Sequence, residues 1–313
     1  MSATATLSAA RRWRVDGWAL VACIVAIPVT LPVLVVLLAL LVVWYGAALA
    51  LNRAWVVDQA ARAGQTVSTA QMLRETMVQD RPVLPAPHQV ARGLWDGVAG
   101  QKITSKRSLV YHAGVTLSAT LAGFALGTAA GLLLAIGIVH SRAMDMSVMP
   151  WAIASQTIPI LAIAPMVIVV LASLGIKGLL PKALIAAYLS FFPVLVGMVK
   201  GLRAPDGMQL DLLRTYNASA PQVLGMLRLP SSVPYLFASL KVGIAAALVG
   251  TIVAELPAGA TAGLGARLLS GSYYGQTVQI WAALFAAAIL AAVLVMLIGL
   301  AERVVLGRMG FSR

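Results

Sequence analysis

The stretch HAGVTLSATLAGFALGTAAGLLLAIGIV, His112–Val139, decides the fold. Its twenty-eight residues contain no Lys, Arg, Asp or Glu, and about 20 apolar residues are enough to cross the hydrocarbon core of a bilayer. The apolar residues run continuously instead of alternating at period two. That excludes a barrel strand and selects a helix, which satisfies its own backbone in lipid. Gly123, Gly127 and Gly131 recur at every fourth position, so one face is smooth enough for a second helix to approach closely. The spacing predicts a packed bundle and is silent on any ligand.

Working outward, the whole chain has the same character. Of 313 residues, 60% are hydrophobic and 11% charged, with a mean hydropathy of +0.91; a soluble domain carries about a quarter charged residues. Apolar runs near 17–51, 150–172, 182–200, 235–256 and 279–300 bring the expected spans to six. The fold class is an all-α polytopic membrane helix bundle. In the first run, Pro28 and Pro32 predict a kinked or interfacial lead-in. The run is longer than the roughly 7–15 apolar residues of a signal peptide, so it reads as an uncleaved anchor.

With the N-terminus inside, twelve Lys and Arg fall on the cytoplasmic side, three in the short outer loops and eight in the long loop 52–110. Short-loop bias of this kind favours both termini in the cytoplasm. The organisation is a tail 1–16, a first transmembrane segment 17–51, a periplasmic loop 52–110, a five-helix core 111–302 containing a cytoplasmic loop 201–234, and a tail 303–313. Within loop 52–110, Trp55–Ala63 and Thr69–Val78 read as amphipathic helices, followed by the stiff VLPAP at 83–87. The net charge of +13 is accounted for by topology, so nucleic acid is not an expected partner.

Enzyme chemistry finds no foothold. Cys23 is alone, and His88, His112 and His140 are scattered without metal-ligand spacing. No catalytic or metal-binding residue is assigned. No GxxxxGK[ST] loop is present, so the chain binds no ATP by that motif.

DLLRTYNASAPQVLGMLRLP, Asp211–Pro230, is polar where its neighbours are oily. Leu212, Leu213, Tyr216, Ala220, Val223, Leu224 and Leu227 keep a helical beat. Asn217 tolerates the left-handed conformation that ends a helix. Ser219 and Gln222 have capping-box spacing, and Pro221 falls in the first turn of the next helix. The spacing predicts a short helix, a turn at Asn217–Ala218, and a second short helix ending near Leu229–Pro230.

This segment resembles the EAA loop of binding-protein-dependent ABC importer permeases. Asp211 stands in the acidic position, Leu212 and Leu213 in the two alanine positions, Asn217 in the glycine position, and Leu227-Arg228-Leu229-Pro230 closes the pattern. Leu-Leu for Ala-Ala makes a bulkier contact. The resemblance extends to the nitrate/taurine/sulfonate branch through Leu84–Pro87, the run from Thr116 through Gly131, Pro150–Met166, Ser190–Leu202, and VAEL followed by GLGARL. It covers about 80–305.

What the resemblance implies is the membrane subunit of an ATP-driven importer in a bacterial inner membrane. It would pair with a second permease subunit, the same or different. It would receive a small solute from a periplasmic solute-binding protein and dock on an ABC ATP-binding subunit that holds ATP and Mg. The coupling residues carried over are Asp211, Leu212, Leu213, Tyr216, Asn217, Ala218 and Ser219.

Pathway candidates are fewer. Gln156 and Thr157 either hydrogen-bond a solute or join neighbouring helices. Phe191 and Phe192 either narrow a cavity or pack against lipid and core. Glu255 either lines an outer gate or meets water at the interface, and Arg267 in the outer loop faces the binding protein or an entering anion. The solute is a sulfonate- or nitrate-like anion or a pyrimidine-like heterocycle. An ion-driven secondary transporter is the rival, although neither mid-membrane charges nor paired repeat halves are visible. An intramembrane enzyme would need a nucleophile–base or metal constellation that is absent.

Overall fold

Gly123, Gly127 and Gly131 do admit a second helix. In the computed structural model, which describes residues 3–64, 68–257 and 260–310 and side chains from residue 31 onward, a Cβ added at these glycines would lie 2.4 Å from Ala186 Cβ, 2.1 Å from Ser190 Oγ and 2.6 Å from the Phe191 carbonyl. The two backbones therefore touch, and van der Waals contact replaces the hydrophobic drive that lipid removes.

Among the described residues the regular elements are helical: α1 (Ala3–Arg62), α2 (Thr69–Val78), α3 (Pro87–Val98), α4 (Leu109–His140), α5 (Arg142–Ser155), α6 (Ile160–Ser173), α7 (Leu179–Leu202), α8 (Gly207–Thr215), α9 (Ala220–Val223), a π-helical turn (Leu224–Arg228), α10 (Leu229–Ala254), α11 (Leu264–Tyr273) and α12 (Thr277–Arg308). The chain divides into two compact units, Met1–Gln89 and Val90–Arg313.

In the first unit, α1 continues past the expected boundary at residue 51 without a break. RAWVVDQAAR, Arg53–Arg62, is rich in helix formers, and Arg62 pairs with Asp58 at 2.7 Å one turn away, so nothing stops the helix where the charges begin. The predicted helix at Trp55–Ala63 is thus the end of α1, whereas the one at Thr69–Val78 is α2. The expected tail 1–16 and the Pro28 part of the lead-in lie outside the residues whose side chains are described.

The stiff LPAP stretch is stapled to α1. Buried Asn52 donates to the Leu84 carbonyl at 2.8 Å and accepts from the Leu84 N–H at 3.1 Å, mimicking a strand partner. Trp44 donates to the Pro85 carbonyl at 3.0 Å. Gln79 and Gln89 extend the network, to the Asn52 and Gln79 carbonyls at 3.1 and 3.0 Å. Asn52 and Gln89 serve backbone that prolines and a turn leave without helical partners, whereas Gln79 adds a bond to a carbonyl within α1.

The second unit is built around α4, α7 and α10. Ile138, Leu195, Met198 and Leu202 are essentially buried at their joint core. α11 and α12 pack on one another, and Leu109, Leu264, Ala282 and Ala283 form a second cluster that Leu94 of α3 joins.

The expected third span, 150–172, is two helices. α5 and α6 meet at an angle of 96°. Pro159 is the cause: it lacks an N–H, and it forces the preceding residue out of the helical region. Each half has 14 residues, about 21 Å at 1.5 Å per residue, short of the roughly 30 Å hydrocarbon core. Tyr188 of α7 donates its hydroxyl to the Ser155 carbonyl freed at the bend. Five other helical stretches are long and apolar enough to cross a membrane, with the bent pair a sixth.

The second helix of the polar segment does not end at Leu229–Pro230. Ala220–Ala254 forms one 35-residue helical stretch. Pro230 cannot donate to Met226 and would clash with its carbonyl; the π turn takes up the misfit, with the Leu229 N–H reaching Leu224. A widened turn replaces the expected stop.

Candidate functional site

The polar segment is held in shape by local caps. Asp206 and Gln209 form a capping box at the start of α8, the Asp206 N–H donating to Gln209 Oε1 at 3.2 Å. α8 ends in a Schellman turn: the Asn217 N–H reaches the Arg214 carbonyl at 2.9 Å and the Ala218 N–H the Leu213 carbonyl at 3.0 Å. Asn217 sits at φ 53°, alone among described non-glycine residues in having positive φ. Ser219 then starts α9 with Gln222, whose side chain accepts from the Ser219 N–H at 2.7 Å. Cap, turn and cap satisfy the orphan groups of both helix ends without help from the bundle.

What the segment presents outward is apolar. Met208, Leu212 and Tyr216, four residues apart, are 81%, 56% and 76% exposed, a stripe along α8 and its C-cap that none of the described residues covers. Met226 adds a further exposed side chain. Asp211 pairs with Arg214 at 2.8 Å in solvent; Ser219 and Asn217 are exposed, while Leu213 and Ala218 are half-buried. Five of the seven sequence-named coupling residues are thus exposed along one segment, with Leu213 and Ala218 turned partly inward. Met208, not named from the sequence, extends the stripe one turn before Leu212.

The pathway candidates are scattered. Gln156 and Thr157 lie at the α5–α6 bend, bonded locally to Ser155 Oγ at 3.3 Å and the Ala154 carbonyl at 2.8 Å. Phe191 and Phe192, edge-on at 6.4 Å, pack against the Leu195–Met198 core. Glu255 does not meet water: its side chain is 0% exposed.

Glu255 is instead the centre of a buried network. Its carboxylate accepts from Lys182 Nζ at 3.0 Å, from Thr116 Oγ1 at 2.9 Å and from the Gly265 N–H at 3.0 Å. Lys182 also donates to the Ala262 carbonyl at 2.9 Å. Thr120 continues the line, donating to Thr251 at 3.0 Å. A buried ion pair is tolerated when the remaining lone pairs and protons are hydrogen-bonded, as here. Arg267 lies nearby in α11, its Nε buried with no partner among the described residues. Burial, then the charge of Arg107, lowers its pKa from the ordinary arginine value.

Beside this network is a cavity of about 680 Å³ whose walls include Tyr111, Ser118, Ile168, Lys177, Lys182 and Thr261. None of the residues named from the sequence as pathway candidates lines it. Its walls come from α4, α6, α7 and the α10–α11 connection, an assembly no local pattern announces. Among the described residues no group of three or more His, Cys, Asp or Glu is placed to hold a metal ion.

Comparison with known proteins gives these features a family. The family model described as "Binding-protein-dependent transport system inner membrane component" matches residues 127–310. The chain is 32% identical over 221 residues to a riboflavin transport system permease protein of Chloroflexus aurantiacus, covering 71% of this chain and 78% of that one. It is 28% identical over 190 residues to a formylaminopyrimidine transport permease protein of Halalkalibacterium halodurans, covering 60% and 71%. It is 24% identical over 200 residues to a putative aliphatic sulfonates transport permease protein of Bacillus subtilis, covering 64% and 68%. An all-helical membrane bundle with the family's match across α4 to α12 belongs to the binding-protein-dependent inner-membrane transport components, as an ABC transporter permease subunit.

Proposed function

We propose that this permease is the translocating subunit of an importer, and that α8 and α9 are its docking surface for an ABC ATP-binding subunit. The observation that carries the reading is the capped, solvent-exposed helix pair with Met208, Leu212 and Tyr216 uncovered. An apolar stripe of this kind on a rigid short element fits a groove in a partner. α9 passes through the π turn into α10 as one helical stretch, so a push on the pair is delivered to the bundle core. ATP and Mg belong to the partner, and this chain is not itself catalytic. A periplasmic binding protein delivers the solute at the opposite end, a second permease subunit completes the pathway, and both termini are cytoplasmic.

The solute we place first is a small heterocycle. The riboflavin and formylaminopyrimidine permeases are the relatives that support it, at 32% and 28% identity against 24% for the sulfonate permease. The test is reconstitution with the ATP-binding subunit and the binding protein, measuring stimulated ATP hydrolysis and uptake for riboflavin, a pyrimidine and an alkanesulfonate. Stimulation by a heterocycle supports the reading; stimulation by the sulfonate alone overturns the solute. Uptake that persists without an ATP-binding subunit and follows an ion gradient overturns the importer.

A further inference from the structure

The start of α11 is secured in an unusual way. Helices leave their first amides without intrahelical partners, and a side chain at the N-cap commonly accepts from them. Gly263, the N-cap here, has no side chain to offer. Side chains from the bundle take its place, one per amide. The Gly263 N–H donates to His112 Nδ1 at 3.0 Å, the Leu264 N–H to Thr116 Oγ1 at 2.9 Å, and the Gly265 N–H to Glu255 Oε2 at 3.0 Å. Lys182 Nζ holds the Ala262 carbonyl at 2.9 Å. Four consecutive residues of the connection are thus gripped by α4, α7 and the end of α10.

Each gripping group is itself fixed. Because His112 Nδ1 accepts, its proton sits on Nε2, which donates to the Lys106 carbonyl at 2.9 Å. Thr116 is a relay: its hydroxyl accepts from Leu264 and donates to Glu255. The glycines are there to make room. A Cβ at Gly263, where φ is +128°, would lie 2.1 Å from the Glu255 carboxyl carbon, and one at Gly265 would lie 2.4 Å from the Ile252 carbonyl. The GLG of the sequence accordingly marks a close approach of backbone to carboxylate.

We propose that Glu255, Lys182, Thr116 and His112 form a latch that fixes the α10–α11 connection to α4 and α7, so that these helices and α11 move as one body in the transport cycle. They are positioning residues: they touch backbone and each other. The latch also sets one wall of the 680 Å³ cavity, since Lys182 and Ala262 belong to both. The role in transport rests on the importer reading, whereas the grip on 262–265 does not.

Thr116→Val and Thr116→Ser test it. They differ in the hydroxyl, so a folding defect common to any change at this site would affect both. In lipid nanodiscs, Thr116→Val is expected to speed amide exchange across 263–265 by about tenfold, with Thr116→Ser close to the native rate. In proteoliposomes carrying the ATP-binding subunit and the binding protein, Thr116→Val is expected to lose stimulation by the binding protein and keep basal ATP hydrolysis. Should Thr116→Val not reach the membrane, the double variant K182M/E255Q removes both charges together and is read by the same exchange. Unchanged exchange at 263–265 in Thr116→Val, or in K182M/E255Q where that is read in its place, overturns the latch, and faster exchange with full stimulation overturns its role in transport. A native chain that the binding protein does not stimulate would instead count against the importer reading, with the exchange result still deciding the latch.

Discussion

The two ends of the second unit solve one problem in opposite ways. At α8–α9, helix ends are satisfied by residues two to five positions away, through Asp206 with Gln209, Asn217, and Ser219 with Gln222. At α10–α11, the amides of 263–265 are satisfied by His112, Thr116 and Glu255, from 10 to 151 residues distant in sequence. The first arrangement is self-sufficient, and so the segment can stand in solvent and keep its shape. The second takes its bonds from the bundle, and so its geometry follows the positions of α4 and α10. Local caps make a detachable surface; long-range caps make a joint.

Breaking the joint should cost most. Glu255→Ala leaves the Lys182 ammonium buried without its counter-charge, a loss of about 3–5 kcal/mol, to be seen as a lowered thermal midpoint in detergent and reduced membrane yield. The matching change at the other end, Asp211→Ala, removes a solvent-exposed pair worth about 0–1 kcal/mol, and the thermal midpoint should hardly move. Equal effects would erase the contrast between the two regions.

Glycines sharpen it further. Gly263→Ala places a Cβ 2.1 Å from Glu255 at a φ that side chains avoid, and should cost on the order of 1–3 kcal/mol in the same melt. Gly225, in the π turn, has open space around its Cβ position, so Gly225→Ala should be neutral or slightly stabilising. Between the two is Ser219→Ala, which removes one side of the α9 capping box at about 1 kcal/mol. Its signature is faster amide exchange at Gln222 with an unaltered thermal midpoint, since the exposed pair opens without unfolding the bundle.

The same contrast explains what could be read from sequence. Asn217, Ser219 and Gln222 announced the turn and the second start because capping is encoded within a few residues. The glycines of α4 announced a close helix neighbour, although not that it would be α7. Pro230 was expected to end a helix and Pro159 lay inside an expected single span, and both outcomes differ: a π turn lets the chain run on through Pro230, whereas Tyr188 supports a bend at Ser155. Glu255 was legible only as an acidic residue at a span end. That it would be fully buried needed Lys182 and Thr116, 73 and 139 residues away, to arrive together.

If the α8–α9 pair is a lever, its shape depends on the positive φ at Asn217. Binding-protein-stimulated ATP hydrolysis in proteoliposomes, compared for Asn217→Gly and Asn217→Val, tests it most directly. Gly adopts that conformation freely, while a β-branched residue there is strained by about 1–2 kcal/mol or more. Near-native stimulation is expected for Asn217→Gly and its loss for Asn217→Val, with both variants inserted equally and both protected at 263–265. Full stimulation in Asn217→Val would contradict it.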